Sequence, residues 1–131
     1  MSISNSDLRS PLARARGLGS AKNGTHHWWA QRVTAVALAP LAIWLVYSIV
    51  HVSATGFDGY RNWIASPFNA TAMIVLLGVA FHHAQLGVQV VIEDYIIGHG
   101  ARIATNLIVK YLCYGLAALG IVSILIVAFG R

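Results

Sequence analysis

Between Arg61 and Glu93 the chain carries no Lys, Arg, Asp or Glu. An uncharged, mainly apolar stretch of that length is long enough to cross a bilayer as one α-helix, which needs about 20 such residues. A second uncharged run covers residues 33–50, and a third follows Lys110 almost to the end. Composition agrees: 57% of the 131 residues are hydrophobic and 10% are charged, where a soluble domain carries about 25% charged residues. Mean hydropathy is +0.66. The chain reads as a small, single-domain, all-α integral membrane protein. Its apolar surface faces lipid or partner helices, so it needs no aqueous core.

Three transmembrane helices are predicted. The first runs from about residue 28 to about residue 52, opened by Trp28 and Trp29, since tryptophan favours the headgroup zone. Pro40 lies inside it, removes one backbone donor and should bend it. Residues 51–67 read as a short polar connection, with Trp63 as an anchor at the far interface. The second helix runs from about residue 69 to about residue 97, where Gly98 and Gly100 are expected to end it. The third covers roughly residues 104–129, with Lys110 near its start and able to snorkel.

Charge sets the expected orientation. Arg9, Arg14, Arg16, Lys22 and Arg32 stand against Asp7 alone in the first quarter. A basic cluster can mark nucleic-acid binding, but beside membrane spans it is the signal that keeps an N-terminus cytoplasmic, with anionic lipid as its contact. The division is therefore a cytoplasmic arm over residues 1–25 and a three-helix transmembrane domain over residues 26–131. No apolar core follows the early charges closely enough for a secretory signal peptide. The Arg- and Ser-bearing start fits a bacterial inner-membrane protein, or a mitochondrial one with a presequence. Cys113 is the only cysteine, which leaves no disulfide or cysteine metal site to argue.

Within the second span stand His82, His83, Gln85 and Gln89, followed by Glu93, Asp94 and Tyr95. Polar groups in hydrocarbon are expensive and mark function by default, and imidazole is a frequent axial ligand of haem iron. His83 precedes Asp94 by eleven residues, about three turns and 16 Å. The two share a face, with Gly87 one turn beyond His83 leaving room for a helix or a flat macrocycle. His82, Gln85, Gln89 and Glu93 form an adjacent polar stripe, and both stripes are expected to face partner subunits or a cofactor. Arg32 is expected to open helix 1 at the depth where Asp94 and Tyr95 arrive. Spacing alone does not choose between His82 and His83 as a ligand. Histidines satisfied by hydrogen bonds across helices, in a structural adaptor, fit the same pattern, as does a transporter whose glutamine stripe lines water.

The block from His83 to Asp94-Tyr95, together with Trp28-Trp29-Ala30-Gln31-Arg32-Val33-Thr34-Ala35, resembles the hydrophobic membrane anchor of succinate dehydrogenase, respiratory complex II, of alphaproteobacterial type. The likeness covers roughly residues 24–130. It implies that His83 is an axial ligand of haem b, with the second histidine from the cytochrome b subunit. It implies that Tyr95 hydrogen-bonds ubiquinone, the substrate, and that Asp94 serves the quinone site and proton delivery. Arg32 falls at the haem propionates and quinone pocket. An iron–sulfur protein and a flavoprotein would complete the complex. A fumarate reductase anchor is the alternative within the same chemistry. The chain has no dinucleotide-binding glycine motif and no cysteine cluster, in keeping with catalysis of succinate oxidation elsewhere.

Overall fold

A computed structural model of the chain describes residue 12 and residues 21–130. Helix α1 spans Ala21–Ser53, α2 Gly56–Ile64, α3 Pro67–Tyr95 and α4 His99–Phe129. There is no strand among the described residues. As expected, three helices (α1, α3 and α4) are long and apolar enough to cross a membrane. At 33, 29 and 31 residues, each is roughly 44–50 Å long, against about 30 Å of hydrocarbon. Their ends must tilt or emerge into the headgroup zone.

The helix limits differ from expectation in three places. First, α1 already runs at Ala21, inside the span assigned to the arm; most of that arm, including Arg9, Arg14 and Arg16, lies outside the described residues. Second, the connection over residues 51–67 contains a helix. Gly56, at φ +69°, turns the chain out of α1, and α2 then sets Tyr60, Trp63 and Ile64 on one side. Ile64 is fully buried, while Asp58, Arg61 and Asn62 face outward. Those polar residues suggest a loop in the sequence; they are the solvent face of an amphipathic helix. Third, α3 stops at Tyr95, before the glycines. Ile96 is extended, and the Arg102 guanidinium donates to its carbonyl at 3.1 Å. Gly98 caps α4 and Gly100 falls in its first turn. Lys110 consequently lies eleven residues past His99, about 16 Å into α4 rather than near its start.

The buried core sits at the end of the molecule where α2 packs. Ile64, Ala70 and Ile124 form it, with Trp63, Met73, Ile74 and Leu77 against them. Trp44 of α1 stacks on Trp63 at 5.6 Å between ring centres. The Arg61 guanidinium donates to the Gly130 carbonyl at 2.9 Å, tying α2 to the end of α4. Helices α3 and α4 approach closely at Gly120, where a Cβ would stand 2.8 Å from Leu77 Cδ1. Helix α3 is central: it packs against both α1 and α4, and among the described residues the backbones of α1 and α4 do not approach within 8 Å (Cα to Cα).

Candidate functional site

The central position of α3 separates its two histidines. Consecutive helical residues diverge by about 100°, so His82 and His83 address different neighbours. His83 turns to α1. Its Nδ1 lies 2.8 Å from Thr34 Oγ1, and its Nε2 lies 3.5 Å from Gln31 Nε2. His82 turns to α4, with Nδ1 3.4 Å from the Tyr114 hydroxyl and the two rings stacked at 6.4 Å. Both histidines therefore have partners across a helix interface, and the structure distinguishes two environments that spacing left equivalent.

Of the stripe expected to face partner subunits or a cofactor, Glu93 is exposed and Gln85 is buried, at 6% exposure. Its amide donates to Gln89 Oε1 at 3.2 Å, and the Gln89 amide donates to Glu93 Oε1 at 2.8 Å. This ladder borders a cleft of about 340 Å³ between α3 and α4, closed by Asn106, Lys110 and Tyr114. The glutamine ladder is satisfied along α3 itself, and only His82 takes its partner from α4.

On the other side, the Thr34–His83 contact sets the register of α1 against α3. Arg32 lies two residues from Thr34, whereas Asp94 lies about 16 Å beyond His83. The backbone of Arg32 is thus nearer the level of His83 than that of Asp94, contrary to the expected convergence. Its side chain recovers part of the gap. The guanidinium stands 5.3 Å from the Trp28 ring, one turn back toward the start of α1, in cation–π range. Asp94 and Tyr95 end α3 exposed, Tyr95 at 81%. They are open to a partner chain or a ligand.

Sequence reasoning missed the polar face of α1. His27, Gln31 and Thr34 recur at i, i+4 and i+7, a helical stripe, and His27 belongs to it rather than to the exposed belt of His26, Trp28 and Trp29. His27 Nε2 and Gln31 Oε1 are buried without hydrogen-bond partners. A Cβ at Gly87 would meet only Gln31 Nε2, at 3.7 Å, so one movable side chain is all that stands close to α3 at this glycine. No three His, Cys, Asp or Glu side chains cluster among the described residues. A metal at His83 would need donors from outside this group.

Known proteins share this helical region. Residues 6–129 match the family described as succinate dehydrogenase/fumarate reductase transmembrane subunit. The chain is similar to the succinate dehydrogenase hydrophobic membrane anchor subunit of Rickettsia conorii, 37% identical over 82% of this chain and 86% of that one. The Rickettsia prowazekii counterpart is 33% identical over 94% and 95%. That of Paracoccus denitrificans is 31% identical over 88% and 95%.

Proposed function

The chain belongs to the succinate dehydrogenase/fumarate reductase transmembrane subunit family, and on that premise we propose that it anchors a succinate:ubiquinone oxidoreductase and forms part of its quinone-reduction site. The observation that supports this most is the family match across the whole helical region, with the named relatives all succinate dehydrogenase anchors. Those names favour succinate oxidation over the fumarate reductase alternative. Succinate oxidation takes place in a flavoprotein, and electrons pass through an iron–sulfur protein. The complex sits in a bacterial cytoplasmic membrane, with the N-terminus of this chain inside.

His83 is the proposed axial ligand of haem b, and the cytochrome b subunit supplies the second histidine. The residues present fit that group. His83 offers one imidazole, and Gly87 leaves the adjoining surface without a side chain. When bound, haem supplies one-electron storage between the iron–sulfur centres and quinone. Arg32 remains charged and reaches from the level of His83 toward the end of α3, a position suited to an anionic propionate or the edge of a quinone pocket.

Converting ubiquinone to ubiquinol takes up two electrons and two protons. Tyr95 donates a hydrogen bond to a quinone carbonyl through its phenol, and Asp94 beside it hands on protons from the aqueous interface. Both lie exposed where α3 ends, so water reaches them. Reduced-minus-oxidised spectra of the purified complex test the reading. His83→Ala abolishes the haem b signal and His82→Ala retains it. A haem signal that survives in His83→Ala would remove this residue as the ligand.

A further inference from the structure

We propose that Thr34 fixes the tautomer of His83, keeping the proton on Nδ1 and the lone pair on Nε2 for iron. The proposal rests on the reading of His83 as haem ligand and adds a positioning residue on a different helix.

Proton supply decides which way each bond runs. Thr34 Oγ1 lies 2.8 Å from the Ala30 carbonyl, 3.1 Å from the Gln31 carbonyl and 2.8 Å from His83 Nδ1. A hydroxyl has one proton to give and two lone pairs to offer. Both carbonyls can only accept, and a helical threonine commonly gives its proton to the carbonyl one turn back. With that proton committed to Ala30, the oxygen is left as an acceptor. The 2.8 Å contact to the imidazole is then an Nδ1–H donating to Thr34.

At the opposite edge of the ring the Gln31 side-chain amide lies 3.5 Å from His83 Nε2. An amide offers either an N–H or an oxygen to that atom, so this contact accommodates both tautomers and the choice falls to Thr34. The reverse tautomer would draw the hydroxyl away from its carbonyl. The contact at Nε2 is long and made by a flexible side chain, so Gln31 is the group that gives way when a ligand binds. Thr34, held against its own helix, stays.

Metal-binding imidazoles nearly always pass their second N–H to an acceptor, and that bond raises the basicity of the ligating nitrogen. Losing the acceptor should raise the haem midpoint potential, because a weaker donor favours the reduced iron. It should also loosen haem, by about 10–100-fold in affinity if Thr34 behaves like other groups of this kind.

The test uses the purified, assembled complex carrying Thr34→Val, which keeps the shape and deletes the hydroxyl, beside Thr34→Ser, which keeps the hydroxyl. Potentiometric titration, the low-spin ferric EPR g-values and the rate of haem transfer to an apoprotein scavenger are measured. Thr34→Val is expected to shift the potential upward, move the largest g-value and lose haem faster, with Thr34→Ser close to the parent. If Thr34→Val does not assemble, Thr34→Ala replaces it in the same comparison. Equal potentials, g-values and transfer rates with and without the hydroxyl overturn the proposal. His83→Ala run in parallel keeps the two ideas apart. A haem signal lost in His83→Ala but indifferent to Thr34 sinks only the tautomer assignment, whereas a signal that persists in His83→Ala sinks the ligand assignment beneath it.

Discussion

At the scale of single residues, this chain places its polar groups where a membrane helix has least reason to tolerate them. Tyr95 is 81% exposed, and it stands at the last turn of α3 with no helix of its own chain over it. A phenol in that position adds little to the fold, so its removal reports on a ligand. Tyr95→Phe deletes one neutral hydrogen bond, about 0.5–1.5 kcal/mol, or roughly 2- to 12-fold in rate. The expected outcome is a fall of that order in quinone-linked turnover, while succinate oxidation with an artificial acceptor is unchanged. A parallel fall in both assays would assign Tyr95 to assembly instead. The shared face of His83 and Asp94 is legible in the sequence because both lie on one helix, eleven residues apart, whereas the choice of His83 over His82 and the interest of Tyr95 come from the family resemblance. Thr34 and Gln31 are not legible, because their meaning depends on the register of α1 against α3. That register comes from packing, and no local pattern states it.

At the scale of elements, the three long helices follow directly from uncharged runs. The short one between α1 and α3 does not, because Asp58, Arg61 and Asn62 dominate its composition while its buried side rests on Ile64 and Trp63. Close packing of α3 on α4 depends on Gly120, whose missing side chain makes room for Leu77. Small residues permit such approaches in membranes, where helix association relies on fit rather than on expulsion of water. Gly120→Leu should therefore cost about 1–3 kcal/mol through overpacking, seen as a lower unfolding temperature of the complex in detergent. Gly120→Ala should cost less, because the group it meets is the far end of a flexible leucine. Leu77→Ala combined with Gly120→Leu should recover part of the loss, the non-additivity expected of residues in contact. Additive losses would show that the two helices do not meet at this pair.

At the scale of the whole molecule, packing is uneven along the membrane normal. One buried cluster gathers around α2, at the end opposite Asp94 and Tyr95, while Leu86 and Ile92 are buried singly nearer that other end and the backbones of α1 and α4 stand apart on either side of α3. Around His83 the chain supplies only a partial enclosure, which fits a protein completed by another polypeptide. This arrangement gives the orientation physical consequences. On the proposed function, the end bearing Asp94 and Tyr95 faces the compartment that supplies electrons and protons, and the basic residues ahead of α1 should hold it there. Three crossings then put the end of α4 on the far side, with α2 at the far surface and Arg61 donating to the Gly130 carbonyl beside it. A phosphatase reporter fused after Arg131 is expected to be active in the periplasm, and one fused between α3 and α4 inactive. The reverse pattern would turn Tyr95 away from the iron–sulfur protein. A quinone site so oriented would have no source of electrons, whatever the haem spectrum showed.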